Sequence, residues 1–177
     1  GFRQPHPMGG YTTSPYYLDR IDADAVTVPP HDPLDHPVCQ HASVSKHTSD
    51  RLPEEQIHSI RRHYLATVME VDEMVGEVLQ HLQQAGLEDD TIVIFFSDHG
   101  DMQMEHRQWL KNSFYEPVAR VPLILAGPGI SSRGKREELV SLLDLRPTLA
   151  ELTDQPIPSD TDGRSLLPAL TGKALPT

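Results

Sequence analysis

The sequence predicts an α/β architecture, a sheet covered by helices, and three observations carry that prediction. An apolar stripe recurs every three or four residues between positions 53 and 85. A nearly unbroken β-branched and aromatic run, "TIVIFF", fills 91–96. A second short apolar run, within "RVPLILAGPGI" at 120–130, is closed by a Gly-Pro-Gly turn. Helix, strand, loop, strand and then a further helix is the order expected of an α/β chain.

Each element has its own signature. Residues 1–52 hold many prolines and histidines with little apolar periodicity, and read as loop with short extended pieces. Pro53 suits a first helical position, Glu54 and Glu55 suit the positive end of a helix, and Gly86 suits its stop. Between them Ile57, Ile60, Tyr64, Val68, Val71, Val75, Val78 and Leu82 form one stripe, expected to lie on the sheet. Asp72 falls inside that stripe, where a buried hydrogen bond is its expected role. The composition of 91–96 suits a central strand buried on both faces, as in a parallel sheet. "LVSLLDLRPTLAEL" (139–152) reads as a short strand or turn feeding a helix that starts near Pro147.

Composition excludes several classes of function. The chain has 177 residues, 37% of them hydrophobic, enough for one sizeable core. A formal net charge of −11 argues against a nucleic-acid partner and reads as a solvated acidic surface. No apolar run approaches the ~20 residues of a membrane span. Cys39 is the only cysteine, so no internal disulfide can form and the compartment stays open. The opening "GFRQPHPMGG" has neither an initiator Met nor a signal-peptide pattern, so the chain is expected to be a fragment of a longer protein.

Ligands of open α/β sheets gather beyond the carboxyl ends of the strands. There the sequence reads "FFSDHGDMQMEHRQWLK" (95–111). Asp98 and His99 can both reach one cation if the chain turns sharply, and Gly100 is expected to permit that turn. The same tripeptide equally describes an Asp-Gly loop with a helix-capping carboxylate. Lys111 offers a point charge to a bound anion, unless it is a solvated surface lysine. His6, in "QPHPM", is held between prolines in an extended segment.

Together, "SDHGDMQMEHRQWLKNSFYEPVARVPLILAGPG", "SLLDLRPTLAEL" and "DGRSLLP" resemble the sulfatases of the alkaline-phosphatase superfamily, in the family's order from about His6 to Pro168. "PHP" and "MEHRQW" are most similar to the arylsulfatase K group. The resemblance implies an alkaline-phosphatase-like sulfatase fold and a sulfuric ester hydrolase acting on a sulfated carbohydrate or aryl sulfate. It also implies a formylglycine nucleophile made from a cysteine, and a divalent cation, usually calcium. Asp98 and His99 match two metal ligands, and Lys111 matches the lysine that contacts the sulfate. His6 matches a histidine at the sulfate or leaving oxygen, with a general-acid role open to it. His106 and Trp109, on the same loop, are expected to line the sugar subsite, although Trp109 also reads as packing.

The departures are as informative. The Cys-x-Pro-Ser-Arg-like signature is absent, since Cys39 lies in "CQHAS" and follows His6 instead of preceding it. The paired aspartates of the cation site are missing too. Residues 1–177 are therefore expected to be the carboxyl-side part of a sulfatase catalytic domain, inactive by itself. His31, Asp35, His36, Cys39 and His41 offer zinc-like donors, but their spacing fits no zinc-finger pattern, and a surface loop near the substrate cleft is expected. Two alternatives stay open: a phosphate or phosphonate ester hydrolase of the same superfamily, and a non-catalytic relative that binds sulfated sugars.

Overall fold

The computed structural model describes residues 11–30, 35–45, 52–111, 113–131 and 134–175. The chain divides into two compact units, one of residues 1–81 with 99–121, the other of residues 82–98 with 122–177.

In the first unit, α1 (Pro15–Leu18) and a single 3₁₀ turn (Ala23–Ala25) precede α2 (Pro37–Ser45). The long helix α3 (Glu54–Gln84) runs for 31 residues. A small hairpin pairs β2 (Met102–Gln103) with β3 (Trp109–Leu110), and α4 (Glu116–Ala119) follows. Tyr11, Val26, Ile57, Ala66, Met102, Met104 and Val118 are buried here. The second unit pairs β1 (Val93–Phe96) with β4 (Leu123–Ala126), then adds a 3₁₀ turn (Leu142–Asp144), α5 (Leu145–Leu152) and α6 (Leu167–Leu170). Leu145, Leu166 and Ala169 are its buried apolar residues.

The start and stop of α3 follow from its sequence. The Pro53 carbonyl accepts from the amides of Gln56 and Ile57. At the other end Gly86 adopts φ +67°, its amide donates to Gln83 and the Leu87 amide donates to Leu82. This is a Schellman cap, which needs the left-handed conformation that glycine adopts without a Cβ clash. The stripe is only partly covered: Ile57 is fully buried, while Val68 and Val78 are 40% and 56% exposed. Asp72 is exposed, so the buried hydrogen bond expected of it is not its role.

Two further expectations are corrected. β1 pairs antiparallel with β4, with Val93 opposite Ala126 and Phe96 opposite Leu123, and no other strand joins this pair among the described residues. Its residues 93–95 are half-buried and Phe96 is 48% exposed, whereas β4 alternates half-buried with exposed. An unbroken apolar run looks alike in a parallel and an antiparallel pair. The connection decides, and among the described residues the intervening 97–122 segment holds only the hairpin, one 3₁₀ turn and the one-turn α4, not the helical crossover a parallel pair needs. Likewise Pro37–Ser45, within the stretch read as loop, is helical. Pro37 stands at the first helical position, where its missing N–H costs nothing, and His36 Nδ1 accepts from the Val38 amide.

Candidate active site

The hairpin brings two of the predicted residues together. Its strands are two residues each, with Met102 opposite Leu110 and Gln103 opposite Trp109. His99 lies just before β2 and Lys111 just after β3, and their side chains meet with Lys111 Nζ 2.7 Å from His99 Nε2. An ammonium has only donors, so Nε2 must accept. The proton then sits on Nδ1, which donates to the Gly100 carbonyl at 2.8 Å. The ring is thereby fixed in one tautomer with its Nε2 lone pair directed at the Lys111 side. Lys111 is exposed and His99 half-buried; Asp98, next in the chain after the β1 segment, is exposed.

Gly100 is needed for a different reason from the one expected. Its amide donates to the Val118 carbonyl at 2.8 Å. A Cβ at this position would lie 1.9 Å from the Pro117 carbonyl oxygen. Close approach of two backbones excludes any side chain here, while the chain turns without a left-handed residue.

Beneath the hairpin lies an aromatic and acidic cluster that sequence reasoning did not single out. The Tyr11 hydroxyl donates to Asp101 Oδ2 at 2.7 Å and accepts from the Gln103 side-chain amide. The Tyr11 ring stacks on Trp109 at 6.0 Å and meets Tyr64 edge-on at 5.3 Å. Burial, and then the hydrogen bond to Asp101, push the Tyr11 phenol well above the ordinary tyrosine range. Burial followed by the Asp101 and Glu105 charges raises Tyr64 as well. Asp101 itself is raised by burial, partly offset by the Tyr11 hydrogen bond and the nearby His99. On the helix side, Arg61 Nη1 donates to Glu105 Oε1 at 2.6 Å and to the Gln103 carbonyl at 2.5 Å. Glu105 Oε2 accepts from the Gln103 amide. The acidic residues at 101 and 105, in a loop that also carries Lys111, were the only local signal for this cluster.

The other predicted residues are placed as follows. His6 lies outside the described residues, as does His31. His106 stacks on Tyr115, ring centroids 4.0 Å apart, and the Tyr115 hydroxyl is 3.1 Å from Cys39 Sγ. Trp109 stacks on Tyr11, which accounts for one face of its ring. Asp35, His36 and His41 are exposed. Among the described residues no group of three or more His, Cys, Asp or Glu side chains is arranged around one point. A carboxylate at 98 and an imidazole at 99 are donor types that suit a divalent cation, but the His99 Nε2 lone pair accepts from Lys111 here, so a cation would take it only in place of that contact. Calcium takes about six to eight oxygens, so the two residues fit as part of a site only. An open depression of about 420 Å³, lined by Glu88, Asp89, Thr91, Val93, Ala126, Gly127 and Pro128, lies at the amino end of β1, the opposite end from Asp98.

Comparison with known proteins places this arrangement. The fold matches a phosphonate monoester hydrolase from Silicibacter pomeroyi with a TM-score of 0.87 at 31% identity, over 97% of this chain and 36% of that one. It also matches a structure solved in complex with its substrate D-glucosamine-2-N,6-O-disulfate, with a TM-score of 0.60 at 31% identity, over 74% of this chain and 28% of that one. The fold is thus the alkaline-phosphatase-like fold of sulfatases and related ester hydrolases, present here in part. The sequence model of the sulfatase family matches residues 3–155, and the chain belongs to that family. Arylsulfatase K of Bos taurus is 40% identical over 182 residues, which is 96% of this chain and 34% of the relative. The chain therefore spans about a third of the length of the curated relatives it matches. The family in general implies a divalent cation and a formylglycine nucleophile. No helix among the described residues is long and apolar enough to cross a membrane.

Proposed function

We propose that this chain serves a sulfuric ester hydrolase acting on a sulfated carbohydrate or an aryl sulfate, as the carboxyl-side part of its catalytic domain. The observation that carries the reading is the His99–Lys111 pair at 2.7 Å across the hairpin, with Asp98 adjacent in the chain. Asp98 and His99 are two ligands for a divalent cation, taken to be calcium, with His99 offering Nε2 once Lys111 turns from it to the sulfate. When bound, that cation supplies positive charge for the sulfuryl oxygens and for the nucleophile. Lys111 places its ammonium on a sulfate oxygen, where charge builds in the transition state. His6 contacts the sulfate or protonates the leaving oxygen. His106, braced by Tyr115, and Trp109 face the sugar. The nucleophile is a formylglycine, for which Cys39 is not the source.

A second reading rests on one specific observation, the 0.87 TM-score to a phosphonate monoester hydrolase. Its chemistry would use the same Asp98, His99 and Lys111 with a phosphonate ester as substrate. The family match and the 40% identity to arylsulfatase K favour the sulfate ester.

The test compares the full-length protein and its Asp98→Ala variant in calorimetry with calcium, and in turnover of an aryl sulfate against a phosphonate monoester. Calcium binding that weakens on Asp98→Ala, with preference for the sulfate ester, is the expected result. Preference for the phosphonate ester selects the second reading. Calcium binding unaltered by Asp98→Ala removes Asp98 from the site, and turnover of neither ester leaves a non-catalytic relative.

A further inference from the structure

The loop that carries Lys111 is strained, and the strain has an identifiable restraint. Met104, His106, Arg107 and Leu110 have φ values of 70°, 49°, 50° and 65°. Each is a bulky L-residue in the left-handed region, where its Cβ crowds the following carbonyl. A hairpin whose strands are two residues long does not offset such crowding by itself. Leu110 is the residue immediately before Lys111, so its left-handed backbone turns the chain where the ammonium departs toward His99.

What holds the turn is anchored on a rigid element. Arg61 projects from α3 and donates to both the Gln103 carbonyl and Glu105, while Glu105 closes the loop by accepting from the Gln103 amide. The two side chains are about three-quarters or more covered, at 20% and 27% exposure, so solvent screens this pair less than an open surface pair. Around them Met102 and Met104 are fully buried and Gln108 is 1% exposed, and the Met104 amide donates to the Gln108 carbonyl. Gln103, the residue clamped by Arg61 and Glu105, is the cross-strand partner of Trp109, two residues before Lys111.

We propose that Arg61 and Glu105 are positioning residues: they hold the strained 104–110 turn so that the Lys111 ammonium is placed beside His99, within reach of the sulfate. The proposal rests on the sulfatase reading for its chemistry, though the placement of Lys111 against His99 does not depend on it. A misplacement of about 1 Å in such a site can cost on the order of 100-fold in rate, so a small slackening of the turn is enough to matter.

The test uses the full-length protein with Glu105→Ala, Arg61→Met and Glu105→Gln, the last keeping an acceptor for the Gln103 amide. Crystal structures of the variants read the Lys111–His99 distance directly. Turnover of an aryl sulfate is expressed per folded molecule, so that loss of stability is not counted as loss of chemistry. The expected result is that Glu105→Ala and Arg61→Met separate Lys111 from His99 beyond hydrogen-bond reach and lower kcat at least about 10-fold. KM should change much less than kcat, and Glu105→Gln should restore most of both readouts. Folded variants that keep the Lys111–His99 contact and the wild-type kcat overturn the proposal, whatever they do to the melting temperature. If the wild type turns over no sulfate ester, the functional reading fails and the crystallographic distance alone decides this one.

Discussion

Two polar loops of this chain follow apolar runs that end in aspartate, and they use that aspartate in opposite ways. In "SLLD" the carboxylate of Asp144 is buried at 6% exposure and satisfied. Its Oδ2 accepts from the Ser141 amide at 2.8 Å and its Oδ1 from the Arg164 amide at 2.9 Å. The Ser141 hydroxyl returns a bond from the Leu143 amide, completing a capping box at the start of the helical stretch. In "FFSD" the carboxylate of Asp98 is exposed, and the loop behind it contains four left-handed, non-glycine residues and the ammonium–imidazole pair. One loop spends its aspartate on the backbone. The other leaves its aspartate and Lys111 exposed on a strained turn, the pattern that the proposed site would need.

The contrast can be broken from either side. Asp144→Ala should give the largest effect, a loss of roughly 2–4 kcal/mol, since partly buried amides of two separate segments lose their acceptor along with a cap. Thermal or denaturant unfolding measures it, and kcat per folded molecule of the full-length protein should stay unchanged. Lys111→Ala should do the reverse. It should leave the melting temperature close to wild type and lower the rate on an aryl sulfate at least ~10-fold, the range for losing one charge-stabilising contact. A wild-type rate would remove Lys111 from the site; a large drop in stability would place the lysine with the structural loop.

A milder change sharpens the same comparison. The Thr148 hydroxyl is fully buried, donating to the Asp144 carbonyl and accepting from the Leu166 amide at 2.8 Å. Thr148→Val keeps the shape and removes both bonds, which should cost about 1–2 kcal/mol of stability. No loss at all would mean that Asp144 alone ties "DGRSLLP" to the α5 start.

Much of this was legible in the sequence, and the remainder was hidden for physical reasons. The limits of α3 were legible because caps and periodicity are local, and Gly86 sits where a left-handed residue was required. The partner of β1 was not, because pairing is set by a segment 26 residues away and an apolar run carries no direction. The helix at Pro37–Ser45 was missed because its residues have weak amphipathicity and the prolines and histidines of the surrounding stretch read as breakers. Asp98, His99 and Lys111 were singled out through family resemblance, and the structure brings the latter two into contact across the hairpin. The Arg61–Glu105 pair was not legible, since its partners are 44 residues apart and each is an ordinary charge on its own.

A comparably small effect tests whether the hairpin's support also stabilises the fold. Tyr11→Phe removes the hydroxyl that donates to Asp101 and accepts from Gln103, but keeps the ring that packs on Trp109 and Tyr64. At neutral pH the loss should be about 1–2 kcal/mol, the net worth of the two hydrogen bonds. The pH dependence is more discriminating. Burial and Asp101 hold the folded Tyr11 phenol above its ordinary range, while the unfolded chain releases this proton near pH 10. The folded state therefore binds more protons in the alkaline window, and stability falls as pH rises past about 10. Below that pH the phenol is protonated in both states and its contribution is fully present. Phenylalanine has no proton to release, and any contribution from Tyr64 is common to both proteins. The stability advantage of wild type over Tyr11→Phe should thus be constant from neutral pH to about 9 and then shrink, approaching a slope of roughly 1.4 kcal/mol per pH unit beyond 10. Urea unfolding at intervals between pH 8 and 11 reads it. A gap that stays constant across that range would show that the Tyr11 hydroxyl titrates as freely in the folded protein as in the unfolded chain.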